Sequence, residues 1–150
     1  MELNRKQRII NLILTFIQYA GFALFIVMSP TIADGIVWQL IELLGIILAV
    51  WAVYVMQKSK INIAPQPRKN AILITNGPYS IIRHPMYSSI IIAITPLIIS
   101  HWDVYRFVFL MFLYANLVLK LLFEEGLLLQ FFPNYSEYSK QTWRIIPYLF

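Results

Sequence analysis

The feature that most limits what this chain can fold into is a run of 20 residues without a charged side chain, Ile9 to Met28. A second run, Ile36 to Met56, has 21 residues and a single charge, Glu42. Each is long enough to cross, as a helix, a hydrocarbon layer roughly 30 Å thick. Of the 150 residues, 59% are hydrophobic and 13% charged, whereas a soluble domain needs more polar surface. The sequence predicts an all-α integral membrane protein.

Two more apolar segments follow in the second half of the chain. Met86 to Ser100 is uncharged but has only 15 residues and contains Pro96, whereas Val104 to Phe123 has 20 residues. Only residues 101–103 join the two segments, which predicts a tight antiparallel helical hairpin. We expect about four membrane helices in one compact bundle, the third being short for a full span.

The first apolar run follows a basic N-terminus and contains the small residues Ala20, Gly21 and Ala23, so a cleaved secretory signal is an alternative. The run is longer than a signal's apolar region and continues past those residues. We therefore favour a retained membrane anchor.

The basic residues predict the orientation. With four spans, 11 of the 12 Lys and Arg residues fall on one side and only Arg106 on the other. The positive-inside rule makes that side, with both termini, cytoplasmic. The same distribution explains the net charge of +5 without a nucleic-acid partner. The residues on this side are Arg5, Lys6, Arg8, Lys58, Lys60, Arg68, Lys69, Arg83, Lys120, Lys140 and Arg144.

Several kinds of site are excluded or disfavoured. Cysteine is absent, which excludes disulfides and thiolate chemistry, and no GxGxxG, P-loop or GxSxG motif occurs. His101 and Asp103 are only two candidate ligands, so we expect no metal. For Glu42, near the outer end of the second span, we expect a structural role.

The stretch NGPYSIIRHPMYSS, residues 76–89, places basic and aromatic side chains before the third apolar segment. Pro85 is suited to the first position of a helix, with His84 at its cap. We expect the amides of Met86, Tyr87 and Ser88 to be unpaired and, with Arg83, to attract an anion. Alternatively, Arg83 and His84 bind lipid phosphates.

A second polar cluster lies where the fourth span ends. Lys120 and Glu124 are four residues apart and share one helical face, and Glu125 follows directly. One alternative is an exposed ion pair beside an interfacial helix. However, two adjacent acids near a membrane surface are costly unless something binds them.

Together the clusters resemble a known family. The segments ILITNGPYSIIRHPMY, KLLFEEGLLLQFF, NYSEY and RIIP occur in this order between Leu73 and Pro147. They resemble the isoprenylcysteine carboxyl methyltransferase family and its relatives among membrane phospholipid N-methyltransferases. The resemblance implies one methyltransferase domain over residues 1–150, with two N-terminal spans in 1–56 and a catalytic core in 57–150. It also implies a cytoplasmic cofactor pocket closed by the C-terminal helical tail.

The resemblance further implies S-adenosylmethionine as cofactor and S-adenosylhomocysteine as product. The implied cofactor-binding residues are Leu73, Ile74, Tyr79, His84, Pro85, Met86, Tyr87 and Glu124. Lys120 stands where the family usually has an arginine facing the acceptor, and we assign it and Arg83 to the catalytic site. Lysine keeps the charge but loses the bidentate fork. The usual Phe-Gly pair after the glutamates is Phe132-Pro133 here.

The resemblance implies a lipophilic methyl acceptor, either a prenylcysteine-type carboxylate or a related lipid-like molecule, and membrane lipids as neighbours. An N- or S-methyltransferase of phospholipids or small molecules is the alternative within the same fold. Other classes are a non-catalytic lipid-binding membrane protein and an intramembrane reductase. The small size leads us to expect a prokaryotic member in the cytoplasmic membrane.

Overall fold

The computed structural model describes residues 4–57 and 72–150, which form helices joined by short connections. Helix α1 spans Arg5–Met28, α2 Ile36–Met56, α3 Pro85–Ser100, α4 Val104–Phe131 and α5 Tyr135–Gln141. A 3₁₀ turn, Gly77–Ser80, precedes α3. The predicted all-α class and helical hairpin are confirmed. Four of the residues used for the orientation lie outside the described residues: Lys58, Lys60, Arg68 and Lys69.

Polar caps set where the long helices begin. Before α1, the Asn4 side chain accepts a hydrogen bond from the Lys6 amide at 3.3 Å, and the Gln7 side chain accepts one from the Asn4 amide at 3.0 Å. Before α4, Asp103 accepts one from the Tyr105 amide at 2.7 Å. These bonds satisfy amides that a helix leaves unpaired at its start.

Three of the helices, α1, α2 and α4, are long and apolar enough to cross a membrane. Helix α3 has 16 residues and is therefore about 24 Å long, which is short for a full span. Helix α4 continues past the predicted Phe123 end to Phe131, so it carries Glu124 and Glu125 out of the bundle on one rigid element.

The hairpin of α3 and α4 lies at the centre, with α2 packed along α3 and α1 along α4. Gly45 permits the close approach of α2, because a Cβ atom there would lie 2.7 Å from the Ala93 amide nitrogen. On the other side, the rings of Phe25 and Phe109 stack with centroids 6.4 Å apart.

At the end of the bundle where α1 connects to α2, the loop is fixed by α2 side chains. Glu42 accepts a hydrogen bond from the Ala33 amide at 3.2 Å, and Gln39 donates one to the Ala33 carbonyl at 3.1 Å. The structural role expected for Glu42 is therefore confirmed. His101 Nδ1 lies 3.5 Å from Asp34 Oδ2. Among the described residues no group of three or more possible metal ligands occurs.

Candidate ligand pocket

A cavity of about 510 Å³ lies between α1, α2, α3 and α4, at the end of the bundle covered by α5. Most of the predicted site residues line it, and the exception is Pro85, which is buried at the start of α3. The predicted residues in the lining are Leu73, Ile74, Tyr79, Arg83, His84, Met86, Tyr87, Lys120 and Glu124.

The cavity is elongated along α4. Its α4 lining runs from Leu113 through Leu117, Lys120 and Glu124 to Leu128. These residues recur every three or four positions and therefore share one helical face. At 1.5 Å per residue they cover about 22 Å of the helix axis. The cavity thus joins an apolar interior to a charged section near α5.

Glu124 is held by hydrogen bonds and charge inside this section. The Tyr87 hydroxyl donates to Glu124 Oε2 at 2.7 Å, and Lys120 Nζ lies 3.2 Å from Glu124 Oε1. Lys120 is only 3% exposed and sits over the Tyr87 ring, 5.5 Å from its centroid. His84 stacks on Tyr87 with centroids 5.4 Å apart. The expected pairing of Lys120 with Glu124 is confirmed, and the pair is buried.

Glu125 faces a different set of partners. Arg83 Nε donates to its Oε1 at 2.7 Å, and Arg144 Nε donates to its Oε2 at 2.8 Å. His84 Nε2 lies 3.6 Å from Oε1. The two adjacent acids therefore divide their contacts, Glu124 facing the cavity and Glu125 facing the C-terminal tail.

The tail, residues 142–150, adheres to the segment before α3 through backbone bonds. Ile82 and Trp143 form a parallel bridge. The Arg83 amide donates to the Trp143 carbonyl at 2.7 Å, and the His84 amide donates to the Arg144 carbonyl at 3.0 Å. The Arg83 side chain also donates to the carbonyls of Ser139 and Thr142. These bonds tie the tail to the segment before α3, and α5 contributes Tyr135 and Tyr138 to the cavity lining. Closure of a cofactor pocket by the C-terminal tail stays a prediction.

The prediction of an anion site at the start of α3 was wrong in one respect. The amides of Tyr87 and Ser88 are not unpaired: they donate to the His84 carbonyl at 2.9 and 3.1 Å. The reason is that the cap carbonyl already accepts the first bonds of the helix. The charge of Arg83 is also faced by Glu125. A direct ligand contact of Arg83 stays a prediction.

Three tyrosines near α5 present hydroxyl groups. The hydroxyls of Tyr79 and Tyr135 are buried and have no hydrogen-bond partner within the described ranges, and both residues line the cavity. Burial raises the pKa of each, and nearby Tyr138 and Glu124 raise that of Tyr79 further. Burial also raises the pKa of Tyr138 to about 12. All three hydroxyls therefore stay protonated at physiological pH. That of Tyr138 donates to the Tyr79 carbonyl at 2.7 Å, whereas those of Tyr79 and Tyr135 can donate to a ligand.

Sequence reasoning missed the contributions of α1, α2 and α5 to the lining. In a membrane helix, an apolar residue that lines a pocket cannot be told by sequence from one that faces lipid. The two tyrosines of the YSEY segment on α5 were noted only as part of the family resemblance. The missed residues are Gln18, Tyr19, Phe22, Ala49, Val53, Met56, Gln57, Tyr135 and Tyr138, with Ser89, Ile90, Leu113, Leu117 and Leu128 from the hairpin.

The fold and the pocket define a helical membrane protein with a candidate ligand site at one end. A sequence model described as phospholipid methyltransferase matches residues 17–135, well over half of the chain. The chain belongs to the phospholipid methyltransferase family, which is related to the isoprenylcysteine carboxyl methyltransferases, and the resemblance is confirmed. It is thus a membrane methyltransferase. No curated protein and no solved structure gives a significant match.

Proposed function

We propose that this methyltransferase uses S-adenosylmethionine and methylates a lipophilic acceptor at the membrane surface. The observation that carries the proposal is the Glu124 carboxylate, held by Tyr87 and Lys120 in a cavity that is charged near α5 and apolar inside the bundle. Such a cavity suits a polar cofactor at one end and an apolar acceptor at the other.

The residues present fit the cofactor. A volume of about 510 Å³ lies within the range of roughly 300–1,000 Å³ usual for small-molecule sites. Glu124 can accept hydrogen bonds from hydroxyl or amino groups, and the partnerless hydroxyls of Tyr79 and Tyr135 can donate them. When bound, S-adenosylmethionine supplies an activated methyl group on a cationic sulfur. The face of Tyr79 can stabilise that cation.

In this proposal the chain aligns the acceptor and excludes water. Lys120 and Arg83 form the polar wall beside the acceptor. A prenylcysteine-type carboxylate needs no general base because it is ionised at neutral pH. An amine or thiol must lose a proton, and His84, which lies 3.9 Å from Glu124 and 3.6 Å from Glu125, is the candidate to receive it.

The proposal extends to location and organisation. We propose one domain over residues 1–150, several membrane passes with cytoplasmic termini, and a prokaryotic cytoplasmic membrane. The partners are then membrane lipids and the lipophilic acceptor, with neither nucleic acid nor metal.

Calorimetry with S-adenosylhomocysteine on the detergent-solubilised protein tests the cofactor. Glu124→Gln removes the charge that strengthens its hydrogen bonds, so we expect a dissociation constant about tenfold higher, and His84→Ala should weaken binding as well. Glu137→Gln is the matched control, because Glu137 is an exposed acid of α5 outside the cavity lining.

Two results would contradict the proposal: no saturable binding by the unmodified chain, or binding that Glu124→Gln and His84→Ala leave unchanged. The first would favour the lipid-binding alternative, and titration with NADPH would then test the reductase. Transfer of a radiolabelled methyl group into membrane extracts, followed by identification of the product, would determine the acceptor.

A further inference from the structure

Gln18 of α1 places a buried carboxamide in the apolar part of the cavity. Its side chain lines the cavity and the residue is only 7% exposed. Its Oε1 atom has no hydrogen-bond partner among residues 4–57 and 72–150. Because Gln18 also lines the cavity, its unpaired oxygen is available to a bound ligand.

The depth of Gln18 follows from the contacts between α1 and α4. A Cβ atom at Gly21 would lie 3.5 Å from Leu113 Cδ1, and Phe25 stacks on Phe109, so the two helices run antiparallel. Gln18 precedes Gly21 by about one turn. It is therefore level with the turn of α4 that lies between Leu113 and Lys120, just inside the charged section.

A structural role for this amide has little support in its surroundings. The side chains lining the cavity on α1, α2 and α4 include Phe22, Val53 and Leu117, which offer no hydrogen bond. Tyr19 also lines it, and the buried amide Asn116 lies in the same turn of α4, but the Oδ1 atom of Asn116 likewise has no partner in the described part of the chain. Polar side chains in membrane helices are normally stabilised by bonds across a helix interface. Leaving an amide oxygen unpaired in apolar surroundings costs free energy that a leucine of similar size would not.

We propose that Gln18 contacts the methyl acceptor and accepts a hydrogen bond from an amine or hydroxyl of its polar head. This inference rests on the proposed function. Lys120 and Glu124 compensate each other's charge at 3.2 Å, so a head group one turn deeper meets the unpaired oxygen of Gln18. Gln18 then selects acceptors that present a hydrogen-bond donor, and the apolar lining takes their hydrocarbon part.

The test compares Gln18→Leu with the matched variant Asn11→Leu. Asn11 is also a buried α1 amide, 1% exposed, with an Oδ1 atom that lacks a partner in the described part of the chain, but it lies outside the cavity lining. Methyl transfer is measured into vesicles of phosphatidylethanolamine in phosphatidylcholine, and S-adenosylhomocysteine binding by calorimetry. Thermal midpoints in detergent are recorded for all three proteins.

We expect Gln18→Leu to raise the KM for phosphatidylethanolamine about tenfold, as the loss of one buried hydrogen bond predicts. Its affinity for S-adenosylhomocysteine should stay within about twofold, since Gln18 is placed beside the acceptor and not the cofactor. Its thermal midpoint should not fall, because the oxygen has no partner to lose within residues 4–57 and 72–150. Asn11→Leu should leave all three quantities unchanged.

An unchanged KM in Gln18→Leu would overturn the inference, as would an equal rise in Asn11→Leu or a parallel loss of cofactor-product affinity. Transfer to the carboxylate of a farnesylcysteine but not to phosphatidylethanolamine would overturn it too. A different result would contradict the proposed function itself: the absence of saturable S-adenosylhomocysteine binding by the unmodified chain.

Discussion

Glu124 and Glu125 are neighbours in sequence, yet their surroundings give them separate tasks. Successive positions on a helix point about 100° apart, so one carboxylate faces the cavity and the other faces the tail. Glu124 accepts a hydrogen bond from Tyr87 and pairs with Lys120, whereas Glu125 pairs with Arg83 and Arg144. Two adjacent acids, which are costly near a membrane surface, thus become one cavity-facing group and one group held by arginines.

This division predicts the effect of Glu125→Gln. The change leaves the two guanidinium groups, of Arg83 and Arg144, without their shared anion, so we expect about 3 kcal/mol of lost stability and a looser tail. Thermal unfolding in detergent measures the first, and proteolysis of the tail the second.

Glu137→Gln, at an exposed site, should change neither quantity. A thermal midpoint for Glu125→Gln equal to that of the unmodified protein would show that the Arg83–Glu125–Arg144 cluster contributes little to holding the tail.

At the scale of helices, the sequence predicts the apolar segments and the start of α3 at Pro85 well, because length, charge and proline geometry are local properties. The contribution of α1 to the pocket is not predictable in this way. Gln18 and Phe22 lie in an apolar run that the sequence predicts to contact lipid. Only the packing of α1 on α4 places them in the cavity lining. The amides of Tyr87 and Ser88 were misjudged because their partner is a backbone carbonyl.

The contact between α2 and α3 gives a prediction at this scale. In Gly45→Ala the new methyl group would lie 2.7 Å from the Ala93 amide nitrogen and 2.9 Å from its Cβ atom, so the helices must separate. We expect a loss of about 1–3 kcal/mol in the free energy of unfolding, measured by thermal or denaturant unfolding in detergent.

Gly126→Ala is the matched control within α4. A Cβ atom at Gly126 would meet no heavy atom of the described residues within 4 Å, so this change should stabilise the helix by up to about 1 kcal/mol. Equal effects of the two substitutions would contradict the close packing of α2 on α3.

At the scale of the whole molecule, helices α1 to α4 alternate in direction, so the pocket, α5 and the tail share one end of the bundle. The predicted orientation places this end in the cytoplasm, which agrees with the proposed entry of a water-soluble cofactor there and of an apolar acceptor from the membrane. The contact between residues 81–84 and residues 142–145 could not be predicted from the order of motifs along the chain. It is made mostly by backbone groups, which leave no signal in the sequence.

The absence of cysteine makes the orientation directly measurable. We expect Trp102→Cys, at an exposed position between α3 and α4, to react with a membrane-impermeant maleimide on intact cells. Ser136→Cys, exposed on α5, should react only after permeabilisation. The opposite labelling pattern would invert the topology and remove the argument for a cytoplasmic cofactor.

The parallel bridge between Ile82 and Trp143 also bears on the order of biosynthesis. Residues 142–150 leave the ribosome after every described membrane helix, so the backbone partners that this segment offers to Arg83 and His84 are synthesised last. Until then Glu125 lacks Arg144, one of its two arginine partners. The Arg83–Glu125–Arg144 cluster is therefore completed only when the last segment of the chain folds back onto the start of α3.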